Sequence, residues 1–149
     1  MTKLSDYVMR FLVEKGVKDV FMLTGGGAMH LNDSIGRCEE LNYCCFLHEQ
    51  AISIATDAYG QHTNFPGVAM VTSGPGGTNA VTGVAASYID STPCLYISGQ
   101  AKRSDLKGDS GVRQMGAQEV DIVSIIQPVT KYAVCVLDPL EIQYHLERA

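Results

Sequence analysis

The feature that most constrains the fold of this 149-residue chain is a repeated alternation of short apolar runs with helical segments. The runs contain few polar residues, which is typical of strands that are buried on both faces in a parallel sheet. We predict five such strands, at residues 20–23, 43–47, 68–72, 93–98 and 132–137. The sequence therefore predicts one α/β domain of three layers, in which an open parallel sheet has helices on both faces.

Helical patterns fill the intervals between the predicted strands. Near the N-terminus, apolar residues recur at the spacing of an amphipathic helix, at Leu4, Tyr7, Val8, Phe11 and Leu12. Gly16 is a suitable end for that helix. We predict further helices at residues 28–35, 50–62, 80–88 and 120–126, and a last helix from Pro139 with Asp138 as its N-cap. The long polar connection at residues 99–116 contains four basic residues, Lys102, Arg103, Lys107 and Arg113.

Composition excludes several classes of function. Hydrophobic residues make up 46% of the chain and charged residues 18%, which excludes intrinsic disorder. The net charge of −5 argues against a nucleic-acid partner, and no apolar run is long enough to span a membrane. Five cysteines without a Cys-x-x-Cys spacing predict reduced, mostly buried thiols in a cytoplasmic protein.

Three predicted strand ends carry residues that suggest a ligand site. Open parallel sheets bind ligands at the carboxyl ends of their strands. Here a glycine triplet occupies residues 25–27, the segment His48-Glu49 follows the second strand, and Ser73 precedes a Gly-Pro-Gly-Gly run at residues 74–77. These ends meet at one edge of the predicted sheet, which is where we place the site.

The common nucleotide and hydrolase motifs do not match these residues. Gly25, Gly27 and Glu49 have the spacing of a dinucleotide-binding fingerprint, but His30 occupies the position of its third glycine. The glycine loops lack the Lys-Ser or Lys-Thr of a phosphate loop, and the histidine pair of a zinc protease and the Gly-x-Ser-x-Gly elbow of a hydrolase are missing. Taken singly, the glycines are explained by tight turns and Glu49 by a helix dipole, whereas their combination favours a ligand site.

Several short motifs, taken in their order along the chain, resemble those of a known protein family. Residues 68–79 (VAMVTSGPGGTN), with 47–50 (LHEQ) before them, resemble the pyrimidine-binding domain of thiamine-diphosphate enzymes, and in particular the acetolactate synthase group. The resemblance continues through residues 90–93 (DSTP), 97–100 (ISGQ), 118–122 (QEVDI) and 128–131 (PVTK). It covers nearly the whole chain and implies the thiamine-diphosphate-binding fold.

The resemblance assigns roles to individual residues. It makes Glu49 the catalytic acid, whose carboxyl group donates a hydrogen bond to N1′ of the cofactor's aminopyrimidine ring and thereby activates the cofactor toward the carbonyl of a 2-keto acid. The implied cofactor-binding residues are Gly25, Gly26, Gly27, Glu49, Thr72, Ser73, Gly74, Pro75, Gly76 and Asn79. The implied substrate-side residues are Ala117, Gln118 and Lys131.

Two departures from the family pattern affect these assignments. The diphosphate and its Mg²⁺ are held in this family by a Gly-Asp-Gly motif with a later asparagine, whereas the nearest string here is Gly108-Asp109-Ser110. We therefore expect residues 1–149 to form the pyrimidine domain alone, without the central domain or the domain that binds diphosphate and Mg²⁺, and to be inactive in isolation. Ala117 stands where acetolactate synthases have phenylalanine, so we expect room for an acceptor bulkier than pyruvate.

The resemblance also implies partners. The cofactor is expected to lie between this domain and the diphosphate-binding domain of a neighbouring subunit in a homo-oligomer, which decarboxylates a small 2-keto acid and transfers the acyl group to a carbonyl acceptor. Two alternatives stay open from the sequence. One is a separate α subunit of a two-chain 2-keto acid decarboxylase, and the other is a non-catalytic binding domain with the same fold.

Overall fold

The computed structural model describes residues 2–149 and contains one sheet of four parallel strands. The strands are β1 (Asp19–Met22), β2 (Asn42–Cys45), β3 (Gly67–Val71) and β4 (Cys94–Ser98). Their order across the sheet is β2-β1-β3-β4. Phe21 of β1 lies between Cys44 of β2 and Ala69 of β3, so β1 and β3 form the interior of the sheet.

In residues 2–149, seven α-helices connect and cover the strands. They are α1 (Leu4–Glu14), α2 (Met29–Ile35), α3 (Glu49–Thr63), α4 (Pro75–Asn79), α5 (Val81–Asp90), α6 (Ile122–Ile126) and α7 (Ile142–Arg148). Short 3₁₀ turns lie at Gly26–Ala28, Arg103–Asp105, Gln127–Val129 and Pro139–Glu141. Gly16, at φ 88°, follows α1 as predicted, and the Asp138 side chain accepts a hydrogen bond from the Leu140 amide as the predicted cap.

Alternate residues of each strand face opposite layers of helices. On one face, Val20, Met22, Val68 and Met70 pack with apolar residues of α1, α2 and α7. On the other face, Ala69 and Val71 pack with Ile52 of α3, and with Phe21 and Tyr96 of the neighbouring strands. This arrangement confirms the prediction of a three-layer α/β domain. None of the helices within residues 2–149 has both the length and the apolar character needed to cross a membrane.

The prediction of a fifth strand at residues 132–137 is wrong. This segment pairs with no strand in the described part of the chain, and Val134 and Leu137 are 39% and 52% exposed. An apolar run becomes a strand only where a neighbour supplies the other half of the hydrogen-bond ladder. The backbone here is held instead by a side chain, because the Arg103 guanidinium donates to the Leu137 carbonyl at 2.7 Å.

The cysteines are free thiols as predicted, but the prediction that most are buried is wrong. Cys44, Cys45 and Cys135 are exposed, and Cys38 and Cys94 are partly exposed. The position of β2 explains two of them, since β2 is an edge strand whose four residues are all exposed.

The two isoleucines of α3 provide a test of this packing. Ile52 is fully buried beneath the sheet, whereas Ile54 on the same helix is 51% exposed. We expect Ile52→Ala to lower the free energy of unfolding of the 149-residue chain by about 2–5 kcal/mol, because the substitution leaves a cavity. Ile54→Ala is the matched control and is expected to change it by less than about 0.5 kcal/mol. Equal effects in urea unfolding would contradict the assignment of layers.

Candidate functional site

The carboxyl ends of the four parallel strands lead into the predicted site segments. β1 leads to the 3₁₀ turn at Gly26–Ala28, β2 to Glu49 at the start of α3, and β3 to Thr72 and the loop before α4. Because the strands are parallel, these segments share one edge of the sheet. The position of Glu49 is set locally at the start of α3. The ring Nδ1 of His48 caps this helix by accepting a hydrogen bond from the Gln50 amide at 3.0 Å.

Glu49 and Asn79 are in direct contact. The Nδ2 atom of Asn79 donates a hydrogen bond to Oε2 of Glu49 at 3.0 Å, across 30 residues of sequence. Glu49 is 8% exposed, so its carboxyl group is largely removed from water. Its second oxygen, Oε1, makes no hydrogen bond with any residue in the range 2–149 and is free to contact a ligand. The structure thus brings together the two polar residues that the sequence singled out in separate motifs.

Gly25 and Gly27 allow the first loop to lie directly against the third. A Cβ atom at Gly25 would come within 3.0 Å of the Thr72 side chain, and one at Gly27 within 3.0 Å of Ser73. The Gly27 amide also donates to Oγ1 of Thr72 at 3.1 Å. Gly26 differs from both, because no atom of residues 2–149, apart from its own and those of its chain neighbours, lies within 4 Å of its Cβ position. Gly26 is therefore the glycine of this triplet whose backbone borders open space.

The loop after β3 is tightly constrained. Ser73 is buried, and Gly74 has φ 58°, a conformation that glycine adopts without strain. Pro75 is exposed at the first position of α4, where its missing amide hydrogen costs nothing. Gly76 is buried, and a Cβ atom there would come within 3.0 Å of the Thr72 methyl group. These contacts fix the path of the chain from Thr72 to Asn79.

The substrate-side residues occupy different positions relative to this edge. Gln118 lies against it, since a Cβ atom at Gly74 would come within 3.0 Å of the Gln118 backbone. Ala117 is exposed beside Gln118. Lys131 is exposed and forms no hydrogen bond or ion pair with another residue of the range 2–149, so its substrate-side role stays a prediction.

The sequence reasoning missed Gly99 and Glu119. Gly99 follows β4, and a Cβ atom there would come within 3.0 Å of the Gly27 backbone. The sequence did indicate Gly99, because this residue lies at the carboxyl end of a predicted strand. Glu119 is 7% exposed and accepts backbone hydrogen bonds from Lys107, Met115 and Gly116. No pattern in the sequence indicates those contacts.

The hydrogen bonds to Glu119 also define its charge state. The backbone amide of Lys107 is the largest cause that holds the pKa of Glu119 below its usual value, with smaller contributions from Met115 and Gly116. A carboxylate with a lowered pKa stabilises the fold above the unfolded pKa, and this contribution is lost as the pH falls through the folded pKa. The contacts of Glu119 are therefore fully formed at neutral pH. Within residues 2–149, no group of three or more histidine, cysteine or acidic side chains is arranged to hold a metal ion.

The α/β fold and the residues at this edge are consistent with the thiamine-diphosphate-binding fold. Residues 2–125 match the family model "Thiamine pyrophosphate enzyme, N-terminal TPP binding domain", and the chain belongs to this family. The match includes Glu49, Asn79 and the glycine loops, which confirms the resemblance found in the motifs.

Individual relatives specify the branch of the family. The chain is 36% identical over 145 residues to the acetolactate synthase isozyme 3 large subunit of Escherichia coli, covering 97% of this chain and 24% of the relative. It is 40% identical over 130 residues to an acetolactate synthase of Arthrospira platensis, covering 85% and 21%. It is 38% identical over 128 residues to the acetolactate synthase large subunit of Lactococcus lactis, covering 86% and 21%. The chain thus spans a fifth to a quarter of the length of these relatives.

Neighbouring glycines provide a test of the loop packing. We expect Gly27→Ala to lower the free energy of unfolding by about 1–3 kcal/mol, because the added methyl group overlaps Ser73. Gly26→Ala is the matched control, since its methyl group meets open space, and we expect a change of less than about 0.5 kcal/mol. Urea unfolding of both variants measures the difference, and similar losses would contradict the packing of the two loops.

Proposed function

We propose that residues 1–149 form the domain that binds the aminopyrimidine ring of thiamine diphosphate in an acetolactate synthase-like enzyme. The observation that carries this proposal is the buried Glu49, which Asn79 holds through one oxygen while the other stays free. The whole enzyme would decarboxylate a 2-keto acid and transfer the acyl group to a carbonyl acceptor. When bound, the cofactor supplies the electron sink for decarboxylation.

The contact with Asn79 determines which oxygen of Glu49 carries the proton. Because Oε2 accepts a hydrogen bond from the Asn79 amide, a neutral Glu49 carries its proton on Oε1. From there the carboxyl group would donate to a ring nitrogen that approaches the free oxygen. Asn79 therefore orients the carboxyl group of Glu49 and leaves Oε1 as the oxygen that would face the ring.

The glycine loops would bind the flat face of the ring. Gly26 presents backbone without a side chain to open space, so a planar group can approach it closely. This pocket would be completed by the other residues of the two loops, namely Gly25, Gly27, Thr72, Ser73, Gly74, Pro75 and Gly76. The tight packing among these loops keeps the pocket preformed, which reduces the entropic cost of binding.

An apolar surface beside the acid supports the proposed partner. Four exposed apolar residues recur at helical spacing, three on the outer face of α3 and one just before its cap. They are Leu47, Ala51, Ile54 and Ala58. Leu47 is 99% exposed, which is unusual for a leucine unless another surface covers it. We assign this α3 stripe to contact with the domain that holds the diphosphate and Mg²⁺, contributed by a neighbouring subunit of a homo-oligomer.

The free cysteines support a proposed cellular compartment, and the basic loop residues support a proposed substrate charge. The five cysteines, all free, suit the reducing cytoplasm. The basic residues of the connection at 99–116 would attract an anionic substrate such as a 2-keto acid. Gln118, Ala117 and Lys131 are proposed to face that substrate.

The first prediction of this proposal concerns Glu49. In the enzyme that carries all its domains, we expect Glu49→Gln to fold normally and to lower kcat by about 10²–10⁴-fold, because the amide preserves the volume but cannot relay the proton. The matched control is Glu14→Gln, at an exposed position at the end of α1. The direct measurement is exchange of the cofactor's C2 proton, and an unchanged exchange rate in Glu49→Gln would make Glu49 a structural acid.

The second prediction concerns the acceptor. Ala117 leaves open a volume that an aromatic ring would fill with about 150 Å² or more of contact. We expect Ala117→Phe to shift the ratio of kcat/KM between a bulky keto acid and pyruvate by about 10–200-fold toward pyruvate, because the ring narrows the acceptor pocket. Val112→Phe, at an exposed position five residues earlier, is the control for added bulk alone. An unchanged ratio would place Ala117 outside the pocket.

A further inference from the structure

The carboxylate of Glu119 joins both ends of the loop that precedes it. Oε1 accepts the Lys107 amide at 2.8 Å, and Oε2 accepts the amides of Met115 and Gly116 at 3.0 and 3.1 Å. Three backbone donors on two oxygens require a carboxylate, because an amide side chain has one accepting oxygen and presents hydrogens on its other atom. Glu119 is 7% exposed, so water replaces these bonds poorly.

The residue before Glu119 has an unusual backbone. Gln118 has φ 54°, in the left-handed region that residues with a Cβ atom seldom adopt. Its backbone packs against Gly74, which is itself at φ 58° and has no room for a Cβ atom on that side. Such a conformation persists only where surrounding contacts impose it. The adjacent anchor that can impose it is the buried carboxylate of Glu119.

The geometry points to Glu119 as a positioning residue, which holds the loop at residues 107–116 closed and thereby fixes Gln118 beside the loop after β3. The role of Gln118 toward the substrate rests on the proposed function. The anchoring of the loop by Glu119 does not depend on it. Within the described residues Glu119 forms no hydrogen bond with Glu49 or Asn79, so we assign its action to the substrate side, through Gln118, rather than to the cofactor ring.

The anchoring is tested by proteolysis of the intact protein. Lys107 and Arg113 lie within the anchored loop and are cleavage sites for trypsin. We expect Glu119→Gln to raise the rate of cleavage at these two residues by about tenfold or more, as the loss of a charge-assisted hydrogen bond implies. The matched control is Asp121→Asn, which removes a charge two residues away and leaves the Glu119 contacts intact. Equal cleavage rates in Glu119→Gln and wild type overturn the proposal. If Glu119→Gln does not fold, Glu119→Asp is measured against the same criterion, because it keeps both oxygens at a shorter reach.

Action through Gln118 is tested by a double-mutant cycle with pyruvate as the substrate. We expect Glu119→Gln to raise KM for pyruvate by about tenfold, with the Kd for thiamine diphosphate unchanged within about twofold. In a Gln118→Ala background the same substitution should change KM by less than about twofold, because the positioned side chain is already absent. Independent, multiplicative effects overturn the positioning role. If the wild-type enzyme neither binds the cofactor nor consumes pyruvate, the proposed function fails, and the tryptic rates still decide whether Glu119 anchors the loop.

Discussion

The structure depends on the close approach of loops that leave the sheet at its carboxyl edge. Gly25 and Gly27 lie against Thr72 and Ser73, Gly99 lies against Gly27, and each approach is too close for a Cβ atom. The steric constraint links the ends of β1, β3 and β4 into one rigid edge. With that edge fixed, α4 begins at a defined point and carries Asn79 to Glu49. The contact of Asn79 with the acid thus depends on backbone packing between loops.

The fold was predictable because its strands carry their signal locally. Each of the four observed strands lies within two residues of its predicted bounds, since short apolar runs that alternate with helical segments are typical of a parallel sheet covered by helices. The segment at 132–137 has the same composition and fails, because strand formation depends on a neighbour that composition does not describe. The prediction that the cysteines of β2 are buried is wrong for a related reason, since the order of strands decides which strand lies at the edge.

The site was predictable where chemistry is concentrated in short motifs. Glu49 and Asn79 were identified from two separate strings, and the structure joins them by one hydrogen bond. The glycines were identified as well, but the sequence does not distinguish Gly26, which borders open space, from Gly25 and Gly27, which pack against the next loop. Glu119 was missed because its partners are backbone amides, which every residue possesses, and only the path of the loop brings three of them to one carboxylate.

The placement of Glu49 on α3 has a thermodynamic consequence. One helix carries the buried acid in its first turn and the exposed α3 stripe along its outer face. In the proposed arrangement, a cofactor held between Glu49 and a partner that covers the stripe would bind only the assembled state, so ligand and assembly would stabilise each other by linkage. A free cofactor concentration of about 100 times its Kd would favour the assembled state by about 2.7 kcal/mol per site. Depletion of the cofactor would then weaken the proposed subunit contact and return the apolar face of α3 to solvent.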